Sequence, residues 1–494
     1  MQSKRLRDVV PPTPAGKGLT LALVMLSVTS ASYSLVQSMV NPALATLRQS
    51  LHTDQLGVSW VLTSYLLASA LLTPILGKLG DRFGKRRLLV FALGLLVVGS
   101  VVSALAQDLP VMVLGRVLQG AGGAVLPLAF GVIRDLAPAP RVGSAVGIVA
   151  AMSSVGAGLG VLVCGPIVEG LGVAWLFWLP AIANGVIAVL LWLIIADRGA
   201  RATGAVNWLA AALLSAALVC VLLPLSLGAD HGWLAPSMLA LFAGAVVFGV
   251  LWVLVELRSR TPLIDMAVFR MRPVWTANLA SLLFGVGLYS TMGFIPTFFQ
   301  IPRQAGYGFG ASVTASGLLF VPITIAMLAT GLLAGPLMRL LRPKTVLVIG
   351  AIPPVVGFAW LAFSHDHLWE VVVATSIGGL GFGVALSALS AVVVHSVPVT
   401  QTGAAAGMNA NIRTIGGALG AAVVSTILGS HPGVLGVPAE SGYTIAFAAL
   451  TIAALASLIA CLVIPTALSS DDVAPEHETP EQEAAELLDQ HNPF

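Results

Sequence analysis

Fourteen apolar runs, separated by charged residues, proline or glycine, constrain the fold of this 494-residue chain more than any other feature. The runs fall at residues 19–47, 56–76, 88–106, 110–134, 143–168, 174–196, 206–227, 235–256, 273–299, 310–335, 345–364, 368–392, 402–429 and 442–465. A helix needs about 20 apolar residues to cross the hydrocarbon core of a bilayer. Only 9% of the residues are charged, whereas about a quarter of a soluble domain is charged. The sequence therefore predicts an all-α membrane protein with fourteen transmembrane helices and excludes large soluble domains.

The basic residues predict the direction of these crossings. With both termini placed in the cytoplasm, 20 of the 24 Lys and Arg residues lie on that side. Only Arg48 and Arg303 lie on the opposite side, while Arg116 and Arg413 fall within helices. Because cytoplasmic loops carry an excess of Lys and Arg, we expect a multi-pass cell-membrane protein with both termini cytoplasmic. The basic clusters lie between apolar runs, so they do not indicate a nucleic-acid surface.

The chain also repeats itself internally. Gly77, Leu79 and Arg86 align at an offset of 258 residues with Gly335, Leu337 and Lys344. At an offset of 260, Gly143, Gly147, Gly156 and Gly160 align with Gly403, Gly407, Gly416 and Gly420. Glycine is common here, at 52 residues, so single matches arise by chance. Four in register, in helices of the same rank and orientation, favour a duplication. Parallel six-helix repeats are typical of transporters that rock two halves about a midplane site.

The duplication predicts five segments. We expect a cytoplasmic N-terminal segment (1–18), an N-terminal six-helix bundle (19–197), an inserted helix pair (198–260), a C-terminal six-helix bundle (261–466) and an acidic tail (467–494). Residues 471–494 hold eight acidic residues and no Lys or Arg, so the tail is expected to be disordered.

The loop after the second run reads GKLGDRFGKRR (77–87). Its glycines permit a tight turn and close helix approach, while its Asp81 can oppose the positive amino end of a neighbouring helix. Such a loop can latch one conformation by charge. The predicted latch residues are Gly77, Gly80, Asp81, Arg82, Gly84, Lys85 and Arg86, with Asp135 as an expected partner of Arg82 or Lys85.

This loop resembles the signature loop of the major facilitator superfamily. The stretch LGRVLQGAGGAVLP (114–127), with Arg116, resembles the superfamily's fourth-helix motif, and Gly165-Pro166 followed by Gly170 resembles the Gly-Pro motif of its antiporter branch. Residues 262–272, 298–322 and 404–420 resemble stretches of the fourteen-spanner drug:proton antiporter family.

The resemblance implies the major facilitator fold, with two pseudo-symmetric six-helix bundles and two inserted helices. It implies secondary active efflux of hydrophobic or amphipathic, drug-like compounds by alternating access. Its expected partners are a lipophilic small molecule, protons and membrane lipids, and we expect a monomer. The open alternatives are a metabolite, self-resistance or lipid-related carrier, a proton-independent facilitator, and a non-transporting membrane sensor or scaffold.

Two positions depart from that family where proton coupling is decided. The family usually has an acidic residue in the first helix a few positions before a Val-Asn pair, where this chain has Val36. Glu169 stands where the fifth-helix motif usually has its first closing glycine. Arg116 and Glu169 are the two coupling candidates. The resemblance suggests that Arg116 serves a proton relay or stabilises the substrate-binding state, and the alternative is a structural role in hydrogen bonding to backbone carbonyls between helices. Glu169 either titrates or is a solvated helix-end residue.

Polar and aromatic residues within the runs are candidates for a substrate cavity. They are Tyr33, Gln37, Asn41, Trp60, Tyr65, Gln119, Asn184, Trp275, Asn278, Tyr289, Asn409 and Arg413. Each also suits helix packing, and the spacing of Asn409 and Arg413 places both on one helix face. The set is more apolar and aromatic than charged, which favours lipophilic or amphipathic solutes over sugars. Since the chain has no P-loop, paired catalytic carboxylates or metal-ligand cluster, we expect no enzymatic activity, cofactor or metal.

Overall fold

The computed structural model is built from membrane-length helices. It describes residues 16–53, 55–195, 206–259, 262–263, 265–398, 401–433 and 437–464. Within these ranges, fourteen helices are long and apolar enough to cross a bilayer. The N-terminal segment before residue 16 and the acidic tail lie outside the described residues, so their predicted states stay predictions.

The spanning helices match the predicted runs, except that the first run, predicted to reach residue 47, ends as a spanning helix at Met39 and is followed by a short helix at Leu44–Ser50. They are α1 (Gly16–Met39), α2 (Gln55–Phe83), α3 (Lys85–Ala104), α4 (Leu109–Leu136), α5 (Ala139–Gly170), α6 (Trp175–Ile194), α7 (Trp208–His231), α8 (Pro236–Arg258), α9 (Arg272–Gln300), α10 (Val313–Leu340), α11 (Pro343–Phe363), α12 (Leu368–Ser396), α13 (Thr402–Ser430) and α14 (Glu440–Val463). The middle of α4, Gly120–Ala124, winds as a 3-10 helix, and α10 is interrupted at Phe320.

Local chemistry fixes several helix ends. Asp108 caps α4 by accepting a hydrogen bond from the backbone N–H of Val111 at 2.9 Å, and Asn207 caps α7 in the same way. The turn between α2 and α3 is a single residue, Gly84, with φ of +108°. A side chain at that position would be strained, so the turn requires glycine.

The two bundles repeat the same helix pairs. Helix α1 packs against α5 and α3 against α6, while α9 packs against α13 and α11 against α14. The aligned glycines explain the equivalence. A Cβ on Gly156 would collide with the carbonyl of Ala31 in α1, and a Cβ on Gly416 would collide with the carbonyl of Leu282 in α9. The glycines therefore set the same close crossing in both halves, and the predicted pseudo-symmetric fold is confirmed.

Two seams join the bundles, and they are also related by the pseudo-symmetry. In the first, α2 packs against α13, with Gly77 facing Gly403. In the second, α5 packs against α10, with Ser144 facing Gly335. Both close approaches lie toward the end of the molecule that carries the α2–α3 loop. We call it the basic end, because Lys78, Arg82 and residues 85–87 lie there.

The inserted helices break the symmetry between the seams. Helix α7 packs against both α2 and α13, and α8 packs on α7. At the basic end of α8, the carboxylate of Glu256 accepts hydrogen bonds from Trp252 Nε1 at 3.2 Å and from the backbone N–H of Leu263 at 2.9 Å. The inserted pair thus covers the α2–α13 seam on its outer side.

Candidate functional site

A cavity of about 210 Å³ lies between the two bundles. Helices α1, α2, α4 and α5 line it from one side, and α9, α10, α12 and α13 line it from the other. Its wall combines apolar side chains, such as Leu66, Met292 and Met327, with tyrosines and hydroxyl groups. A mixed wall of this kind can hold a solute that is mostly apolar and carries a few polar groups.

Two tyrosines and an arginine form the N-terminal wall. The hydroxyl of Tyr65 donates to the hydroxyl of Tyr33 at 3.2 Å. The guanidinium carbon of Arg116 lies 4.3 Å from the centroid of the Tyr65 ring, in cation–π contact. Helix α4 thereby holds its arginine against α2, at the surface of the cavity.

Hydrogen bonds fix the orientation of Arg116. Its Nε donates to the carbonyl of Val61 at 2.9 Å, and its Nη1 donates to Oε1 of Gln119 at 2.6 Å. Gln119 in turn donates to Oγ of Ser100 at 2.8 Å. The remaining nitrogen, Nη2, is buried and has no hydrogen-bond partner in the described chain.

Helix α13 supplies the opposite wall. Asn411 donates to the carbonyl of Ala70 at 2.6 Å, across the α2–α13 seam. Asn409 donates to Oδ1 of Asn278 at 2.8 Å and to Oγ of Ser281 at 2.9 Å, and so ties α13 to α9. Arg413 lines the cavity and is 8% exposed.

A polar cluster closes the basic end of the α2–α13 seam. The carboxylate of Asp81 accepts hydrogen bonds from the backbone N–H groups of Gly403 at 3.2 Å and of Ala404 at 3.1 Å. These are the first free N–H groups of α13, where the helix dipole favours an anion. On the other side of Asp81, Lys85 Nζ lies 3.9 Å from Oδ1 of Asp81. The same Nζ lies 2.8 Å from Oδ1 of Asp135.

Arg134 adds a second bridge between the bundles. It donates from α4 to the carbonyl of Val394 in α12 and to Oγ1 of Thr402 in α13. Asp81 and Arg134 therefore both link the two bundles with polar contacts that a relative motion of the bundles would break.

Comparison with known proteins identifies this architecture. The sequence-family model of the Major Facilitator Superfamily matches residues 26–421 and 306–491 of this chain. The chain belongs to the major facilitator superfamily. This superfamily member is 30% identical over 459 residues to the cephamycin export protein CmcT of Amycolatopsis lactamdurans, covering 90% of this chain and 92% of the relative. It is 29% identical over 384 residues to the multidrug transporter protein MdtP of Bacillus subtilis, covering 76% and 69%.

Other relatives and solved structures agree with the assignment. The tetracenomycin C resistance and export protein of Streptomyces glaucescens is 26% identical over 432 residues, covering 85% of this chain and 77% of the relative. Two solved structures share the fold at 14% identity. The human organic anion transporter MFSD10 has a TM-score of 0.64, covering 91% of this chain and all of that one, and the proton:xylose symporter XylE has 0.65, covering 91% and 96%.

The superfamily member gathers only part of the predicted cavity set at its cavity. The lining includes Tyr33, Gln37, Asn41, Tyr65, Tyr289 and Arg413, and also Arg116, which was predicted as a coupling residue. The three lining residues at the end of α1 and just after it share one face. They are Tyr33, Gln37 and Asn41, spaced i, i+4 and i+8.

The other predicted cavity residues lie elsewhere. Gln119 lies behind Arg116, and Asn184 donates to the carbonyl of Pro180 within α6. Trp60 and Trp275 are 37% and 41% exposed and lie outside the cavity lining. Asn278 and Asn409 are hydrogen-bonded to each other between α9 and α13 and lie outside the cavity lining. Polarity alone does not reveal a helix face, because a lipid-facing tryptophan and a cavity-facing tryptophan look the same in sequence.

Sequence reasoning missed the small hydroxyl residues of the cavity. They are Ser34, Ser38, Ser69, Thr73, Ser153, Ser154 and Thr414. One signal could have found part of this set. Tyr65, Ser69 and Thr73 are spaced i, i+4 and i+8, which continues one helix face from a residue that was predicted.

The predicted latch residues lie together at the basic end, and of the two predicted partners of Asp135 it is Lys85 that forms the ion pair. Asp135 pairs with Lys85, whereas the Arg82 guanidinium lies 4.9 Å from the centroid of the Phe83 ring. Arg86 donates to the carbonyl of Ile195 at 2.5 Å and stacks over Trp192, so it joins α3 to α6 within one bundle. A Cβ on Gly80 would collide with Leu128.

The fifth-helix motif lies at the end opposite the basic end. Glu169 is exposed and accepts a hydrogen bond from Oγ1 of Thr314 in α10 at 3.2 Å. A Cβ on Gly165 would collide with Thr314, while Gly170 has open space around it. Pro166 lines a second, apolar groove of about 700 Å³ formed by α1, α5, α6 and α10. Within the described ranges, no group of His, Cys, Asp or Glu is arranged to hold a metal ion.

Proposed function

We propose that this protein is a secondary active efflux transporter that exports hydrophobic or amphipathic organic compounds by alternating access. The observation that carries the proposal is the combination of a central cavity between two bundles with a polar latch on one side of it. A cavity enclosed by two separate bundles can open to either side when the bundles rock.

The latch favours one of the two states. Asp81 is hydrogen-bonded to the amino end of α13, and Arg134 is hydrogen-bonded to α12 and α13. These contacts close the basic end on one side of the cavity. An anion at a helix amino end contributes ~0.3–1 kcal/mol, rising to ~2 kcal/mol when it is partly buried. Contacts of this size stabilise the closed seam yet can break in every transport cycle.

We further propose that the basic end is cytoplasmic, in the cell membrane, with both termini on that side. At that end, the last turns of α2 and the first turn of α3 carry five Lys and Arg residues between positions 78 and 87, and cytoplasmic ends carry an excess of such residues. The latched state then closes the cytoplasmic side, as expected after a substrate has been taken up for release outward. The five segments predicted from the duplication are retained in this proposal, as is a monomeric transporter.

The proton gradient is the proposed energy source. The resemblance to drug:proton antiporters supports it, with Arg116 and Glu169 as the candidate coupling residues. Arg116 lies at the cavity surface and Glu169 lies at the far end of the α5–α10 seam. Protons arriving from the outer side would reach Glu169 first, because its side chain is exposed there.

Export of one specific natural product, as self-resistance, is the second candidate function. It is favoured by the relative with the fullest mutual coverage among those given above, which is named a cephamycin export protein, and by a relative named for tetracenomycin C. A transporter of this kind would move one scaffold well and other lipophilic compounds poorly.

A proteoliposome assay tests the proposed function. The full chain is reconstituted, a pH gradient is imposed, and movement of the neutral dye N-phenyl-1-naphthylamine is followed by fluorescence, with protein-free liposomes as the control. We expect dye movement that depends on the protein and speeds up with the gradient. Movement that is unchanged after the gradient is collapsed would remove the proton coupling, and absence of any protein-dependent movement of several lipophilic scaffolds would remove the efflux proposal.

The same assay tests Glu169 as a coupling residue. We expect Glu169→Gln to flatten the dependence of transport on the pH gradient, because a glutamine cannot bind and release a proton. Asp366→Asn, in the α11–α12 loop of the other bundle, is the matched control and should leave that dependence intact. An unchanged pH dependence in the Glu169 variant would exclude this residue.

A further inference from the structure

Arg116 and Arg413 line the central cavity from opposite bundles, and neither has an acidic partner within the part of the chain that the structure describes. We infer that the cavity is an anion site that selects amphipathic organic anions, such as aromatic carboxylates or sulfonates. The inference rests on the proposed efflux function and names the substrate class of the same cavity.

Arg116 lines the cavity and has one donor without a partner in the described chain. Its Nε and Nη1 are occupied by Val61 and Gln119, but Nη2 is buried without a partner among the described residues. Arginine presents its donors in a planar fork that suits the oxygens of a carboxylate or sulfonate. Because two of its nitrogens are already held, the third is fixed in place before a ligand binds.

Arg413 offers a second cation from the other bundle. It lines the same cavity on α13, is 8% exposed, and makes no side-chain hydrogen bond or ion pair within the described chain. Tyr33 and Tyr289 line the cavity with it, and their hydroxyls carry no charge unless ionised. A buried guanidinium without a counter-ion is costly in a membrane protein, so a bound anion would relieve that cost.

The rest of the described lining contains no acid. None of the described residues that line the cavity is Asp or Glu. In α1, where the resembling family usually has its acidic residue, Val36 is buried and lies outside the lining. The described lining therefore carries two positive charges and no fixed negative charge, which favours an anion and opposes a lipophilic cation.

The remaining wall defines the body of the ligand. Tyr65, Tyr289, Leu288 and Met292 supply aromatic and flexible apolar surface around the two cations. Serine and threonine hydroxyls add a few neutral hydrogen-bond groups. A compound with one acidic group on an aromatic or polycyclic body satisfies both parts of this wall.

A matched pair of dyes tests the inference. The probes are 8-anilinonaphthalene-1-sulfonate and N-phenyl-1-naphthylamine, which share one scaffold and differ by the sulfonate. Affinities are measured by isothermal titration calorimetry on the full chain in nanodiscs, with empty nanodiscs subtracted. We expect the sulfonate to bind at least about tenfold more tightly, since a hydrogen bond to a charged group adds roughly that factor.

Variants at Arg413 test the charge directly. Arg413→Gln should weaken sulfonate binding about tenfold and change binding of the neutral dye by less than about twofold. Arg413→Lys should retain much of the sulfonate affinity, because it keeps the charge. Arg339→Gln removes the same charge from an exposed position at the basic end and should leave both affinities unchanged.

The outcomes separate the inference from the proposed function. Equal affinity for the two dyes, or equal weakening of both by Arg413→Gln, would overturn the anion site even if the neutral dye is transported. If neither dye nor any other lipophilic scaffold is moved by the protein, the efflux proposal falls. Sulfonate preference that is lost in Arg413→Gln and retained in Arg413→Lys supports the anion site.

Discussion

The carboxylate of Asp81 accepts a hydrogen bond from the backbone N–H of Ala404 at 3.1 Å, although the two residues lie 323 positions apart. The contact joins the end of α2 in one bundle to the first turn of α13 in the other. The donor is a backbone N–H of α13, which a side-chain substitution in α13 does not remove. The strength of the contact therefore depends on the charge of Asp81 and on the position of α13. This contact makes the conformational state of the transporter testable by substitution.

Asp81→Asn should weaken the closed seam at the basic end. The amide has similar size but lacks the charge that interacts with the helix dipole, and a loss of ~1–2 kcal/mol shifts the closed-to-open ratio by about fivefold to thirtyfold. Spin labels at the exposed positions Phe83 and Arg342, in a chain without its three cysteines, report the distance across the basic end. We expect a larger population of long distances and slower efflux.

The control for that substitution is Asp108→Asn. Asp108 also places its carboxylate at a helix amino end, but it caps α4 within one bundle. Because asparagine is as good an N-cap as aspartate, this variant should cost little stability and leave the distance across the basic end unchanged. An unchanged distance distribution in the Asp81 variant would show that Asp81 does not hold the seam.

Gly403→Ala should prevent the basic end from closing. A Cβ at this position would lie 2.7 Å from the carbonyl oxygen of Gly77, which is closer than real contacts allow, so α2 and α13 must separate. The same spin-label pair should report long distances, with transport strongly reduced. Gly94→Ala in α3 is the matched control, because a Cβ there has nothing within 4 Å. Normal closure in the Gly403 variant would contradict the packing described for the seam.

Gln119→Ala should destabilise the N-terminal bundle. It removes the acceptor of Arg116 Nη1, so the buried guanidinium would then have two unpartnered nitrogens. Leaving a buried polar group unsatisfied costs ~1–3 kcal/mol. Thermal denaturation of the purified protein should show a lower Tm, while Gln49→Ala, at an exposed position, should leave it unchanged. Equal Tm values for both variants would mean that water or another group replaces the lost acceptor.

Tyr289→Ala should weaken binding of the neutral dye. Tyr289 lines the cavity, and the loss of an aromatic side chain that contacts an apolar ligand removes ~1.5–3 kcal/mol of burial, or about tenfold or more in Kd. Trp275→Ala removes a larger ring from the same helix, but this residue is exposed and lies outside the lining. Calorimetry with N-phenyl-1-naphthylamine should show a higher Kd for the Tyr289 variant than for the Trp275 variant. An equal change in Kd for both variants would place the ligand outside this cavity.

The sequence by itself determined the spans, because the thickness of a bilayer is a local requirement on the chain. The run at 174–196 became α6 at Trp175–Ile194, and the run at 368–392 became α12 at Leu368–Ser396. The repeated glycines likewise determined the equivalent crossings of α5 on α1 and of α13 on α9. Glycine at a crossing is readable in sequence, since no other residue allows two backbones to approach so closely.

Only the tertiary structure decided which side chains face the cavity and which contacts hold the seam. By sequence alone, Trp60 and Trp275 are as suitable as Tyr65 and Tyr289, because lipid and protein interior are both apolar and give no contrast in polarity between helix faces. The partners of Asp81 and Arg134 come from helices far along the chain. Within the described residues, Arg116 and Arg413 have donors without a partner, and this is seen only once the neighbouring helices have been placed, since pairing depends on the whole packed site.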